Sequence, residues 1–244
     1  MVLLVITLIG KPLLPLHPTF KTTDPSIGGA AAERVRRGEQ EPGHSFFPIL
    51  AAILLAGDHV RVLDFGGSFA TYYFHTMRVI PDRIEWWRVV ELPEVVEYGR
   101  ANFSENKLSF FTSTNEALAG AKPEVILCGS VLHYLEDPYG SLAALLKTQP
   151  RILILDRLPL HRRERFMVQK VRPELGVTSF VACRILSEDK LKQATHGYKL
   201  IGEQCAGNLE PQNPTLAEPR YVSQVFVSSD GFGDTKKGAN PGTS

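Results

Sequence analysis

Apolar residues along the chain fall into short, nearly continuous runs, and between these lie stretches with helical spacing. Phe46 to Gly57, FFPILAAILLAG, is apolar at helical spacing and closes on glycine, which predicts a helix with a C-terminal stop. VRVLDF follows as a short strand, and WWRVVEL, Trp86 to Leu92, predicts a second one. PEVVEYGRANF then predicts a helix, with Pro93 in its first turn where a missing N–H costs nothing. LSFFTS, PEVILCGS and RILILDR predict a third, fourth and fifth strand, and DPYGSLAALLKTQ a helix between the last two. Several of these strands are apolar throughout, as strands covered on both faces are. Strands alternating with helices predict the α/β class, a doubly wound parallel sheet with helices on both faces.

The flanks are less regular. HRRERFMVQKVRP carries a basic cluster, His161 to Arg165, which reads as a solvated helix face or as a means of recognising an anionic acceptor. SFVACRILSEDKLKQATHGYKLIGE reads as a loop, a helix capped by Ser187 with Glu188 and Asp189 in its first turn, and a strand from Tyr198. RYVSQVFVSS alternates as a final strand does. At the start, MVLLVITLIG has no basic residues before it and meets Lys11 too soon to span a bilayer, so it reads as a packed segment or an extension. Prolines then break KPLLPLHPTF, and IGGAAAERVRRGEQEPG mixes a loop with a short basic helix. The expected organisation is an N-terminal extension or lid over 1–43, an α/β domain over 44–229, and a Gly-rich disordered tail over 230–244.

Composition narrows the partners. With 244 residues, 43% hydrophobic and 22% charged, the chain can bury the core of one domain. The 27 Lys and Arg against 26 Asp and Glu leave a formal charge of +1, so no global field draws the protein to nucleic acid or to an anionic membrane. Neither a nucleic-acid partner nor stable membrane insertion is expected. Cys128, Cys183 and Cys205 are scattered without CxxC spacing, which argues against a metal site and a disulfide framework and for a cytoplasmic location. The sequence sets no oligomeric state.

Candidate chemistry concentrates at the predicted carboxyl ends of the strands, where open α/β sheets bind ligands. The first strand runs into Asp64, then Gly66, Gly67 and Ser68, then a helix beginning near Phe69. Glycines let a ligand approach the backbone closely, and the helix start favours an anionic group. Glu91 ends the second strand 25 positions after Gly66, close to the spacing of the acidic residue that holds a ribose diol.

VLDFGGSFA, VVELPEVVEYGR and VILCGSVLHYLEDPYGSL, in that order and spacing, resemble the class I S-adenosylmethionine-dependent methyltransferases. They are most similar to a bacterial group marked by an LDFGGS corner and a DLPEVV-like second strand. The resemblance covers Phe46 to Val227. It implies a Rossmann-like class I methyltransferase sheet whose last strand is antiparallel, with S-adenosylmethionine as cofactor. Asp64, Gly66, Gly67 and Ser68 would surround the methionine part, Glu91 would hold the ribose, and Leu92 would lie beside the adenine. Thr112 and Ser113 would approach the adenine edge, and Gly129 and Ser130 the sulfonium. Against the general DxGxGxG pattern, Ser68 and Ala70 replace the second and third glycines, and Glu91 stands for the commoner aspartate.

The expected function is methyl transfer to a small-molecule or saccharide acceptor, the latter because the bacterial group is often linked with surface polysaccharides. Alignment of the acceptor supplies much of the rate, and a hydroxyl acceptor also benefits from a general base. His133, Asp156 and Arg157 are the catalytic candidates, with Tyr134 and, less strongly, Tyr72 and Tyr73; the other readings are that His133 caps or packs the next helix and that Asp156 and Arg157 form an internal ion pair. One alternative is a non-catalytic methyltransferase-like domain that binds a cofactor or partner. Another is a nicotinamide-dependent oxidoreductase, which would normally keep GxGxxG where Phe69 and Ala70 follow Ser68 here.

Overall fold

The structure, a computed structural model, describes residues 4–6, 25–171, 179–208 and 219–229. Five parallel strands form its centre: β2 (Val60–Phe65), β3 (Ile84–Val90), β4 (Leu108–Phe111), β5 (Val125–Gly129) and β6 (Ile152–His161), preceded in the chain by β1 (Leu4–Ile6). Their spatial order is β4-β3-β2-β5-β6. The chain therefore builds outward from β2 in one direction, then returns to build from β5 in the other. That reversal opens a crevice at the carboxyl ends of β2 and β5. β10 (Arg220–Ser228) extends the sheet antiparallel to β6, and β9 (Tyr198–Asn208) lies outside it, antiparallel to β10.

Side chains alternate between the two faces of this sheet. Val62, Leu127 and Ile154 pack in one cluster with Ile49 and Ile53 of α2 (Phe46–Ala56), Tyr73 of α3 (Thr71–Val79) and Val96 of α4 (Pro93–Asn102). Leu63, Ile126, Leu153 and Leu155 pack on the other face with Ala117 of α5 (Thr114–Ala117), Leu142 of α6 (Pro138–Leu146) and Leu191 of α7 (Glu188–Ala194). Each large buried aliphatic here is worth about 1.5–3 kcal/mol of transfer free energy. Two covered faces explain why the strand runs are apolar without alternation.

α1 (Pro25–Arg37) packs against α3 and α4, and its Ala32 and Val35 lie in the same cluster as the α2 side chains. The expected tail over 230–244 falls outside the described residues, as does most of the segment before Pro25. Among the described residues, no helix is long and apolar enough to cross a membrane.

Three segments differ from the sequence reading. The fifth strand continues past Arg157 to His161. It is kinked there: Arg157 has φ 52°, and the register with β10 skips between Val222 and Gln224. The basic run expected on a helix instead lies on an exposed turn, at Arg162 and Arg163, and on the start of β7 (Arg165–Val171). The segment read as a loop forms β8 (Ser179–Ser187), antiparallel to β7. Met167, Cys183 and Ile185 form a small core with Tyr134 and Tyr221, and that burial favours pairing over a helix. β1 adds to the outer edge of the hairpin through Leu4, Val5 and Ile6, and Leu186 rejoins the main sheet beside Leu160. Ser187 caps α7 as expected, accepting a hydrogen bond from the Lys190 N–H at 3.4 Å.

Candidate functional site

Asp64 and Glu91 end neighbouring strands, β2 and β3, and the glycine corner closes between them. Gly66 turns the chain with φ 73° and donates its N–H to the Val90 carbonyl at 2.9 Å. A Cβ on Gly66 would lie 2.4 Å from the Val131 side chain, and one on Gly67 would lie 2.4 Å from the Asp64 carboxyl carbon. Both positions therefore exclude side chains. Ser68 and Ala70, the two departures from the glycine pattern, also adopt left-handed backbone, with φ 51° and 60°. The glycines of that pattern answer a real conformational demand, which this chain meets with strain of about 1 kcal/mol per residue.

The Asp64 carboxylate is fully buried. Its Oδ2 accepts from Trp87 Nε1 at 3.0 Å, whereas Oδ1 has no hydrogen-bond partner among the described residues. Burial pushes its pKa up to about 7; the Trp87 bond opposes the shift, and the negative charges of Glu91 and Asp156 add to it. Glu91 is oriented by backbone: Oε1 accepts from the Ser68 N–H at 3.2 Å and Oε2 from the Leu92 N–H at 2.8 Å. Each oxygen keeps a lone pair for a further donor. Burial raises the Glu91 pKa, and the two backbone bonds counter it.

The ends of β4 and β5 complete the edge. Glu91 donates its N–H to the Phe111 carbonyl at 3.0 Å, which sets Thr112 and Ser113 level with it. Their side chains serve local structure: Ser113 Oγ caps α5 through the Glu116 N–H at 3.2 Å, and Thr112 Oγ1 donates to Glu116 Oε2 at 3.3 Å. Gly129 faces Tyr72, whose ring would lie 3.4 Å from an added Cβ. Ser130 has φ 57° and donates its N–H to the Asp156 carbonyl at 2.8 Å.

Asp156 is the hub of a second group. It is fully buried, accepts from Tyr72 Oη at 2.5 Å and from Ser223 Oγ, and pairs with Arg157 Nε at 3.1 Å. Burial drives the Tyr72 hydroxyl pKa far upward, so it stays a donor to Asp156. His133 lies on a 3-10 turn, Leu132–Tyr134, and is 1% exposed. Its ring centroid is 4.0 Å from that of Tyr134 and 6.4 Å from that of Tyr221, and neither ring nitrogen has a hydrogen-bond partner among the described residues. Burial, with the Arg157 charge nearby, lowers its pKa to about 3 and keeps it neutral. Tyr73 lies apart from the site, in the core against Trp87, with its hydroxyl on Glu105. Among the described residues, no cluster of three or more His, Cys, Asp or Glu could hold a metal ion.

No protein-family profile matches the chain, and no curated protein matches its sequence. Solved structures do match its architecture. CalS10, an amino pentose methyltransferase from Micromonospora echinaspora, superposes with a TM-score of 0.51 at 14% identity, over 81% of this chain and 97% of that one. The Burkholderia thailandensis 1,6-didemethyltoxoflavin-N1-methyltransferase gives 0.52 at 15%, over 92% and 94%. CcbJ, a methyltransferase from Streptomyces caelestis, gives 0.53 at 13%, over 84% and 99%. The fold is that of the S-adenosylmethionine-dependent methyltransferases. In this methyltransferase fold the antiparallel β10 stands where the resemblance placed the last strand.

Trp87, Ser223 and Tyr221 belong to the site and escaped the sequence reading. Trp87 counted only as a strand residue. Ser223 sits 67 positions after Asp156, and no local pattern links the two. The doubled tryptophan ahead of Glu91 was the available signal, since a buried indole N–H needs an acceptor.

Proposed function

We propose that the protein transfers a methyl group from S-adenosylmethionine to a small-molecule acceptor, and that the acceptor is a saccharide. The observation that carries this reading is the Glu91 carboxylate, held by the Ser68 and Leu92 N–H groups at the mouth of a corner that has no room for Cβ atoms. The unpartnered Oδ1 of Asp64, close behind Gly67, supports it. These residues fit the cofactor. Glu91 would take the two ribose hydroxyls, and Asp64 and the 66–68 backbone the methionine end. Leu92, Thr112 and Ser113 would border the adenine, and Gly129 and Ser130 the sulfonium. Bound there, S-adenosylmethionine supplies a methyl group activated by its positive sulfur.

The protein's part is to align the acceptor. Asp156 holds Tyr72 and Arg157 at the crevice. His133, buried beside Arg157 and kept neutral, could accept a proton only if acceptor binding also opened its ring nitrogens to the crevice. CalS10 acts on an amino pentose, which supports a sugar acceptor for a chain with the same fold. In the organisation we infer, 44–229 carries the transferase fold and 1–43 is an extension whose α1 packs across α3 and α4. A near-neutral charge fits the lack of a nucleic-acid partner, and scattered thiols fit a cytoplasmic location.

A second reading, a domain that binds cofactor without turnover, draws on the low basicity of His133. Calorimetric titration with S-adenosylmethionine, S-adenosylhomocysteine and NAD tests the proposal. The first two should bind and the third should not, and Glu91→Ala should weaken binding by about 1.5–3 kcal/mol, the worth of hydrogen bonds to a charged group. Binding of NAD alone would overturn the reading. Methyl release with a sugar panel then separates turnover from mere binding.

A further inference from the structure

Arg157 is a cationic group at the carboxyl edge to which the proposed cofactor binding gives no role. Its backbone sits at the kink of β6, with φ 52°, and its N–H reaches Ser223 Oγ at 3.4 Å. Its Nε is bound to Asp156 Oδ2 at 3.1 Å. Asp156 cannot shift, because it is fully buried and gripped by Tyr72 and Ser223. The guanidinium is thus clamped at Nε, while its two terminal nitrogens have no protein partner among the described residues.

The side chain is 49% exposed, so a ligand can reach those nitrogens. The kink of β6 and the clamp at Nε together present a planar fork of donors beside Tyr72 and Tyr134 and close to His133. Such a fork matches the two oxygens of a carboxylate or phosphate better than any neutral partner. The other cations nearby are accounted for: Arg184 and Lys190 pair with Glu164, and Arg162 and Arg163 lie on the exposed turn after His161.

We propose that Arg157 recognises an oxyanion on the methyl acceptor, so that the protein selects sugar acids or sugar phosphates over neutral sugars. The proposal rests on the methyl-transfer reading of this site. Its test uses the full chain, both unloaded and saturated with S-adenosylhomocysteine, titrated calorimetrically with glucuronate, glucose 6-phosphate and glucose. At least one anionic probe should bind at least tenfold more tightly than glucose, and comparison of the two identifies carboxylate or phosphate. Arg157→Gln should lose at least tenfold of that affinity, and Arg157→Lys, which keeps the charge beside Asp156 in case the glutamine variant misfolds, should fall between. Arg163→Gln should match the parent, and S-adenosylhomocysteine affinity should change less than twofold in every variant. Equal binding of all three probes, or anion affinity unchanged in both Arg157 variants, would overturn the proposal. So would loss of S-adenosylhomocysteine binding in them, which would assign Arg157 to the cofactor. If the parent fails to bind S-adenosylhomocysteine, the methyl-transfer reading falls by itself, and the unloaded titration still reports on Arg157.

Discussion

Asp64 links the chemistry of a single residue to the acidity of the medium. Its pKa, pushed up to about 7 by burial, leaves it largely protonated in mildly acidic solution. A cationic group placed on its Oδ1 needs the charged form. Affinity for S-adenosylmethionine should therefore fall as pH drops below about 7, approaching tenfold per unit, since one bound proton competes with the ligand. Calorimetry from pH 5.5 to 8.5 checks this, and Asp64→Asn should bind weakly with a nearly flat profile. The stability sign is the opposite. A carboxyl raised above its unfolded value of 3.8 stabilises the fold while protonated, and that contribution is lost as pH rises through about 7. Unliganded parent and Asp64→Asn melts should diverge between pH 4 and 8, with the parent losing more.

Among the elements, α7 and the β7–β8 hairpin show why some local signals suffice and others do not. Ser187 announces its helix because the cap is a contact between neighbours in sequence, from its Oγ to the Lys190 N–H. Ser187→Ala should cost about 1 kcal/mol, the usual worth of such a cap, read as a shift of the urea unfolding midpoint at constant slope. The hairpin carries no comparable signal. Its order comes from Met167, Cys183 and Ile185 meeting Tyr134 and Tyr221, residues distant in sequence. A run such as HRRERF looks like a solvated helix face until the exposed turn at Arg162 and Arg163 is seen to reverse the chain.

On the scale of the whole molecule, α1 belongs to the core it covers. Ala32 is fully buried and Val35 nearly so, and Gly28 lies so close to the Phe69 ring that a Cβ there would come within 2.4 Å. A chain beginning at His44 should lose about 2–4 kcal/mol in urea unfolding, from the apolar burial these residues provide. It should also bind an apolar dye, because Phe69 and Tyr98 would meet water. An unchanged midpoint would make the first 43 residues a dispensable appendage.

The sequence by itself determined the alternation of strands and helices, the glycine corner and the acidic end of the second strand. These depend on periodicity and on backbone demands that act within a few residues. Gly66, Gly67 and Glu91 were legible for that reason. Only the tertiary structure decided which groups face each other across the crevice. It set the Trp87 indole on Asp64, joined Tyr72, Ser223 and Arg157 through Asp156, and buried His133 until it lost its ordinary basicity. Those outcomes depend on strand order and on exclusion of water, and both arise from contacts between residues far apart in the chain.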